Sequence, residues 1–213
     1  MTSILIVDDH DLVRTGLRNI LAQEPGLKVV GEAATGEEAI RLAREHEPDL
    51  ILMDVELPGL SGLECTKRIV KTHPGIRVVV LTAHSEPPLP ARLLDVGASG
   101  YLTKACGARE LVNAVRAVAR GERYIGAEIA QQLALSLLPG TPQSPFHELT
   151  ARELEVALML TQGMNPKSIA EVINVSPKTV SSHKYNVYAK TGVNSEVELL
   201  RLALRHGLVK PAP

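Results

Sequence analysis

Five polar residues of this chain are of types that together handle phosphoryl groups: Asp8, Asp9, Asp54, Thr82 and Lys104. Each lies at or just after the end of a short, mostly apolar run of the kind that forms a buried strand. Carboxylate oxygens are preferred ligands of Mg²⁺, and a lysine ammonium beside them can hold an anionic oxygen. The pattern predicts a site for a phosphoryl group and a hard cation.

These residues meet only if the strands before them lie in one parallel sheet. The first 120 residues alternate short apolar runs with amphipathic stretches, as β-α-β units do. Runs that are apolar throughout, such as Val78-Val79-Val80-Leu81, indicate strands covered by helices on both faces. We therefore predict a doubly wound, five-stranded parallel α/β sheet with its ligands at the carboxyl edge. The predicted strands are 3–7, 28–31, 49–53, 77–81 and 100–102, and the predicted helices are 12–21, 36–46, 63–72, 89–96 and 108–120.

Each of the five polar residues also has an ordinary structural interpretation. Asp8 and Asp9 could cap the following helix, and Asp54 could belong to the turn that follows it. Thr82 or Lys104, taken alone, could be a surface residue. Their joint placement at the ends of four strands favours one shared site.

The C-terminal part of the chain is predicted to be entirely helical. A Pro-, Gly- and Ser-rich run at 139–145 separates it from the sheet. Before that run, 127–138 is a short predicted helix. Thr150 and Ser176 are predicted caps, and Pro177 suits a first helical position. The predicted helices are 150–162, 166–174, 177–190 and 194–206.

The positive charge of the chain is concentrated in this helical part. The net charge is −1, yet residues 149–213 contain 8 Lys and Arg against 5 Asp and Glu. Residues 174–195 contain Lys178, Lys184 and Lys190 and no acidic residue. Three closely spaced helices with a basic third helix fit a helix-turn-helix unit that inserts this helix into the DNA major groove.

Four motifs of the first domain resemble the receiver domain of two-component response regulators. The resemblance covers residues 3–120 and implies a flavodoxin-like sheet with strand order 2-1-3-4-5. The motifs occur in the family's order and spacing and are Val7-Asp8-Asp9-His10, Met53-Asp54-Val55-Glu56-Leu57-Pro58-Gly59, Leu81-Thr82-Ala83 and Gly100-Tyr101-Leu102-Thr103-Lys104.

The resemblance implies a role for each site residue. Asp54 would accept a phosphoryl group from a sensor histidine kinase, with Lys104 beside it. Asp8, Asp9, Asp54 and the backbone carbonyl of Glu56 would hold Mg²⁺. The chain would then be a phospho-acceptor with at most slow self-dephosphorylation, and not an enzyme.

The resemblance also implies a switch pair, Thr82 and Tyr101. An acyl phosphate adds about 1.5–2 negative charges. Thr82 would move to hydrogen-bond the phosphoryl group, and Tyr101 would turn into the vacated space and change the surface of the fourth helix, fifth strand and fifth helix. Tyr101 could instead be an aromatic residue that merely packs.

The second domain resembles the LuxR-type DNA-binding domain of the NarL/FixJ family over about residues 147–208. The matching segments are Leu149-Thr150-Ala151-Arg152-Glu153-Leu154-Glu155-Val156, Ser168-Ile169-Ala170 and Val175-Ser176-Pro177-Lys178-Thr179-Val180-Ser181-Ser182-His183. In this family the third helix enters the major groove. The candidate DNA contacts are Lys178, Thr179, Ser182, His183, Lys184 and Lys190, and Val180 and Val187 are expected to face the core.

Segments such as Arg123-Tyr124-Ile125 and Ser144-Pro145-Phe146 resemble the GacA/UvrY subgroup. That resemblance implies a hybrid histidine kinase as partner and control of genes for small regulatory RNAs. The chain departs from the subgroup at His183-Lys184-Tyr185-Asn186, where the subgroup carries arginines. This departure bears on base preference, because arginine pairs with guanine and asparagine with adenine.

We expect three segments, a receiver at 1–121, a linker with a short helix at 122–146 and a DNA-binding domain at 147–213. The active form is expected to be a homodimer on double-stranded promoter DNA. In this family the fourth helix of the second domain is the usual dimer surface. Four residues there either line that surface or close the domain's own core: Leu199, Leu200, Leu202 and Ala203.

Two other functions fit parts of the sequence. A phosphatase of the haloacid dehalogenase type also phosphorylates an aspartate after a strand, but it needs a second aspartate where this chain has Glu56. A protein-interaction module would combine the receiver with a tail that binds a protein partner. Neither alternative explains both halves of the chain.

Composition excludes several further classes of protein. One Phe, four Tyr and no Trp supply too few rings for stacking on single-stranded nucleic acid. Cys65 and Cys106 have no metal-ligand spacing and are expected to be free thiols, buried or partly buried. The sequence predicts no membrane span and no signal peptide, so we expect a cytoplasmic protein.

Overall fold

The computed structural model describes residues 1–83, 89–136 and 144–209. The chain forms two compact units, of which the first comprises Met1–Ala83 and Leu93–Gln131 and the second the remaining residues. The predicted domain limits at residues 121 and 146 stay a prediction.

The first unit is built on a parallel sheet with the strand order β2-β1-β3-β4-β5-β6. The predicted doubly wound parallel fold and the order of its first five strands are confirmed. The strands are β1 (Thr2–Val7), β2 (Leu27–Ala33), β3 (Leu50–Asp54), β4 (Arg77–Thr82), β5 (Gly100–Thr103) and β6 (Tyr124–Ile125). The helices α1 (Asp11–Ala22), α2 (Gly36–His46), α3 (Gly62–Thr72) and α5 (Ala108–Ala119) belong to this unit, whereas α4 (Leu89–Asp95) and α6 (Ala127–Ser136) are divided between the two units.

The predicted count of five strands was one too low. β6 is a two-residue parallel strand, paired with β5 through Tyr124 N–H to Ser99 O (3.1 Å) and Gly126 N–H to Tyr101 O (2.8 Å). A strand of two residues has no apolar alternation for a sequence pattern to reveal.

The apolar strands are buried on both faces, as predicted. Every side chain of β3 is buried, as are those of β4 after Arg77. β3 and β4 each extend one residue further than predicted, so Asp54 and Thr82 themselves pair in the sheet, with Leu81 and Thr103. The backbone of both residues is therefore fixed by sheet hydrogen bonds.

The second unit contains a short 3₁₀ helix (Pro145–Glu148), α7 (Ala151–Thr161), α8 (Pro166–Val172), α9 (Pro177–Thr191) and α10 (Glu196–Arg205). α9 packs against α7 and α8. Both predicted caps are confirmed: Thr150 and Glu153 form a capping box on α7, and the Ser176 side chain accepts from Thr179 N–H. Most of the predicted linker run at 139–145, and residues 137–138 of the helix predicted before it, lie outside the described residues.

Cys65 is buried and Cys106 is half-buried, and both are free thiols, as predicted. Within the described ranges, no helix has both the length and the apolar character needed to cross a membrane.

Candidate phospho-acceptor site and DNA-binding surface

The ends of the sheet strands bring the predicted phosphoryl-site residues together. Asp8 follows β1, Asp54 ends β3 and Lys104 follows β5. The Lys104 ammonium nitrogen lies 2.6 Å from Asp8 Oδ2 and 2.6 Å from Asp54 Oδ2. Lys104 is itself anchored to β4, because its backbone N–H donates to Thr82 O at 2.6 Å.

Asp54 is almost completely buried, with only 1% of its surface exposed. Its Oδ1 accepts from the backbone N–H of Glu56 at 3.2 Å. The start of α3 lies directly against the end of β3, since a Cβ on Gly62 would come 1.9 Å from Asp54 O. Only glycine permits this approach, which holds the turn after Asp54 against the sheet.

Burial and charge act in opposite directions on this carboxylate. Burial raises the pKa of Asp54 to about 6, although the Lys104 ammonium and its hydrogen bond oppose the rise. Burial alone would lower the pKa of Lys104, but Asp54 and Asp8 raise it above the ordinary value. The lysine therefore stays a cation that can hold an anionic oxygen.

The raised pKa predicts that Asp54→Asn stabilises the first unit by about 1–2 kcal/mol at pH 7.5 in a chelating buffer. The folded pKa of about 6 exceeds the usual 3.8, so the wild type loses stability as pH rises from about 4 through 6. The gain should vanish near pH 4 and shrink when Mg²⁺ stabilises the wild type. Hydrogen exchange of β3 amides measures it, and an equal gain at pH 4 would contradict this origin.

Three carboxylates and one imidazole form a candidate cation site. Ligand atoms of Asp8, Asp9, His10 and Asp54 all lie within 4.8 Å of one another. The three acids were predicted as ligands, whereas His10 was not. Its position directly after the acidic pair was a signal for it in the sequence. The role predicted for the Glu56 carbonyl stays a prediction.

The two switch residues are both inside the protein. Thr82 and Tyr101 have no exposed surface, and their side chains are hydrogen-bonded to each other. Burial raises the pKa of the Tyr101 hydroxyl, so it remains a donor. The inward position assigned to Tyr101 in the phosphorylated form is therefore already adopted in this structure.

α9 presents one buried and one exposed face. Val180 and Val187 are fully buried, as predicted. Lys178, Thr179 and Ser182 are exposed, whereas His183 is half-buried. The Ser182 hydroxyl donates to Lys178 O at 3.1 Å, which fixes this side chain on the exposed face.

Two of the predicted DNA-contact lysines already have acidic partners. Lys184 Nζ lies 2.6 Å from Glu196 Oε1 and 5.5 Å from the centre of the Tyr188 ring. Lys190 Nζ lies 2.6 Å from Oε2 of the buried Glu153. Neither acid is near its lysine in sequence, so the positive run in the sequence gave no sign of these pairs.

The predicted set of DNA contacts leaves out two exposed residues of α9, of which Asn186 entered the sequence analysis only through base preference. Tyr185 is 74% exposed, and Asn186 beside it is also exposed. They follow Lys178 and Ser182 at spacings of three, four, seven and eight residues, which place them on the same helix face. Helical periodicity counted from Lys178 would have identified them.

The four residues of α10 that were predicted to line a dimer surface or close the domain's core differ in burial. Leu199 and Ala203 are fully buried, so they belong to the domain's own core. Leu200 and Leu202 are half-buried.

Comparison with known proteins identifies both domains. Residues 4–116 match the response regulator receiver domain, and residues 147–203 match the luxR family of bacterial regulatory proteins. Response regulator GacA of Pseudomonas aeruginosa is 48% identical over 213 residues, the full length of both chains. Response regulator UvrY of Escherichia coli is 46% identical over 209 residues, covering 98% of this chain and 96% of UvrY.

Solved structures agree with this assignment. RcsB from Salmonella enterica serovar Typhimurium, bound to promoter rprA in the presence of the phosphomimetic BeF3-, is 26% identical with a TM-score of 0.77 and covers 95% of this chain and 98% of its own. A LuxR-family regulator from Aurantimonas sp. SI85-9A1 is 40% identical with a TM-score of 0.61, covering 63% of this chain and 96% of its own. The chain therefore belongs to the NarL/FixJ family of DNA-binding response regulators, which join a receiver to a LuxR-type helix-turn-helix domain, and within it to the group that includes GacA and UvrY.

Proposed function

We propose that phosphoryl transfer from a sensor histidine kinase to Asp54 controls binding of the C-terminal domain to promoter DNA. One observation carries this proposal, the buried Asp54 carboxylate held 2.6 Å from the Lys104 ammonium beside two further acids. A nucleophile and a fixed cation at one strand edge are what transfer to an aspartate requires.

The side chains already assembled supply the nucleophile and one fixed cation for the chemical step. A carboxylate oxygen of Asp54 attacks the phosphorus of a phosphohistidine, the phosphorus–nitrogen bond breaks, and its electron pair returns to the imidazole nitrogen. The Lys104 ammonium holds a phosphoryl oxygen during the transfer. Because Asp54 ends β3 as a sheet-bonded residue, its carboxylate is positioned before the donor arrives.

The donor set fits Mg²⁺. Asp8, Asp9 and Asp54 offer carboxylate oxygens within one small volume, and oxygen ligands suit this ion. When bound, Mg²⁺ neutralises charge on the phosphoryl oxygens. These three residues and the Glu56 carbonyl would hold it. The resulting acyl phosphate is proposed to be lost at most slowly in the absence of a partner.

The Thr82 and Tyr101 pair is proposed to carry the signal away from Asp54. A phosphoryl oxygen would accept a hydrogen bond from the Thr82 hydroxyl and draw it toward Asp54, and this movement would break the bond between Thr82 and Tyr101. Tyr101 would then keep its buried place with a changed partner. The consequence is a shift in the surface around β5, which favours the DNA-binding homodimer.

For DNA contact, we propose that the exposed face of α9 enters the major groove. Lys178 and Thr179 would hold phosphates, while Ser182, Tyr185 and Asn186 would face base edges. Asn186 suits adenine. His183 lies at the border of this face. Lys184 and Lys190 would then serve mainly to fix the helix through their acidic partners.

This assignment predicts different effects for two substitutions on one helix face. Tyr185→Ala should lower the ratio of specific to non-specific DNA affinity about tenfold and leave the salt dependence unchanged. Lys178→Ala should weaken binding to all sequences and reduce the salt slope by about 1, because it removes one phosphate contact. Titrations of a promoter and a scrambled duplex at several salt concentrations measure both. Equal losses on the two duplexes for Tyr185→Ala would contradict base contact.

Mass spectrometry with a small phosphodonor tests the proposed function. Incubation with acetyl phosphate and Mg²⁺ should add one phosphoryl group, located on the peptide that contains Asp54. A phosphoryl group on another residue would overturn the assignment, and steady turnover of phosphorylated small molecules would favour a phosphatase. Duplex binding that is absent or insensitive to salt would favour a protein partner for the second domain.

A further inference from the structure

We infer that His10 is a ligand of the cation site and raises the affinity of this site for later first-row transition-metal ions more than for Mg²⁺. The inference rests on the proposed function, because it presupposes that the acidic cluster binds a divalent cation. It adds a nitrogen donor to a site otherwise made of oxygens.

The imidazole already lies where a ligand would have to be. Its Nδ1 is 2.7 Å from Asp9 Oδ1 and 3.3 Å from Asp8 Oδ1. With the Asp54 carboxylate included, the ligand atoms lie within 4.8 Å of one another. Two ligands on opposite sides of an ion at about 2.2 Å are about 4.4 Å apart, so these atoms need to move only slightly to share one ion.

A hydrogen bond from its own backbone N–H helps to fix the position of His10. His10 N–H donates to Asp8 Oδ1 at 2.9 Å, which folds the turn after β1. His10 is the N-cap residue of α1, but its side chain makes no capping hydrogen bond. The helix therefore leaves the imidazole available, with 66% of the side chain exposed at the mouth of the site.

The free and metal-bound forms of this imidazole differ in which ring nitrogen carries the proton. In the structure, the distance to Asp9 suits an Nδ1–H that donates to the carboxylate. A metal takes the lone pair of the same nitrogen only in the tautomer that carries the proton on Nε2. The exposed ring can exchange the proton between its two nitrogens through solvent.

The choice of metal follows from ligand chemistry. Mg²⁺ favours oxygen ligands and keeps several waters, so an added imidazole contributes little to its binding. Imidazole nitrogen suits Fe²⁺, Ni²⁺, Cu²⁺ and Zn²⁺, whereas Mn²⁺ resembles Mg²⁺ in its preference for oxygen ligands. A nitrogen ligand therefore raises affinity for the later first-row ions more than for Mg²⁺.

Electron paramagnetic resonance of Mn²⁺ bound to the full-length protein tests the inference. The wild type should show coupling from a directly bound ¹⁴N nucleus, and His10→Gln should not. The affinity ratio of Ni²⁺ to Mg²⁺, obtained by competition of each ion against bound Mn²⁺, should fall about tenfold in His10→Gln. His46→Gln changes another exposed histidine of the same unit, outside the cluster, and should match the wild type.

The outcomes separate the inference from the function on which it rests. Mn²⁺ binding without ¹⁴N coupling, or an unchanged affinity ratio in His10→Gln, would overturn the role of His10 and leave the cation site standing. Failure of both Mn²⁺ and Mg²⁺ to bind the wild type would overturn the cation site itself, and the role of His10 with it.

Discussion

Replacing Lys104 with alanine is expected to slow phosphoryl uptake by Asp54 about 100-fold, the usual cost of removing one fixed donor from a site of developing charge. The Lys104 ammonium is 2.6 Å from the Asp54 carboxylate and is held in place by its backbone bond to Thr82. Without it, the phosphoryl oxygens lose a preorganised cation. Asp54 also loses a group that opposes the rise of its pKa, so less of the nucleophilic carboxylate is present.

A time course of phosphorylation by acetyl phosphate, followed by intact mass, measures this effect. Lys71→Ala removes an exposed lysine of α3 and should react at the wild-type rate. Near-wild-type uptake by Lys104→Ala would mean that this lysine does not stabilise the transferred group. Circular dichroism of each variant confirms that the fold is retained.

Loss of Glu153 is expected to have a large effect on the stability of the DNA-binding unit. Glu153→Ala is expected to destabilise it by about 2 kcal/mol, because it breaks a part-buried ion pair and a helix cap together. Glu153 is 5% exposed and binds Lys190 Nζ at 2.6 Å and Thr150 N–H at 2.9 Å. It thus connects the start of α7 to the end of α9, the helix proposed to enter DNA.

The pH dependence of this pair has a defined sign. Burial alone would raise the pKa of Glu153, but Lys190 and the Thr150 backbone lower it to about 2, against the usual 4.5. The stabilisation is therefore full above about pH 4.5 and is lost as pH falls through 2. Hence the difference between wild type and Glu153→Ala should be constant from pH 7 to pH 5 and shrink below pH 4.5.

Hydrogen exchange of amides in α7 and α9 measures this loss locally. Lys190→Ala and the double variant complete a cycle that isolates the interaction between the two side chains. Additive effects of the two single changes would show that the pair is not energetically coupled. Lys184→Ala breaks the more exposed pair with Glu196 and should cost much less.

The sheet and the phospho-acceptor site could be predicted because their signals are local. Runs such as Val78-Val79-Val80-Leu81 are typical of strands buried on both faces, and each strand places its polar residue at the same edge of the sheet. The meeting of Asp8, Asp54 and Lys104 followed from that topology alone. Asp54 and Thr82 were placed one residue beyond their strands, because sequence patterns do not determine where sheet hydrogen bonding stops.

What the sequence could not reveal depends on contacts between distant residues. Lys190 meets Glu153 across 37 positions, so a positive run on a helix gave no warning that this charge is already paired. The same holds for Tyr101, whose bond to Thr82 and full burial depend on packing between β4 and β5. By contrast, helical periodicity could have placed Tyr185 on the exposed face of α9.

Binding of a fluorescent promoter duplex by the wild type and Asp54→Ala, each with and without acetyl phosphate and Mg²⁺, tests the central claim most directly. We predict that the phosphodonor tightens wild-type binding at least about tenfold, a coupling of about 1.4 kcal/mol, and leaves Asp54→Ala unchanged. Equal tightening of both proteins, or no tightening of a wild type that carries the phosphoryl group, would contradict control of DNA binding through Asp54.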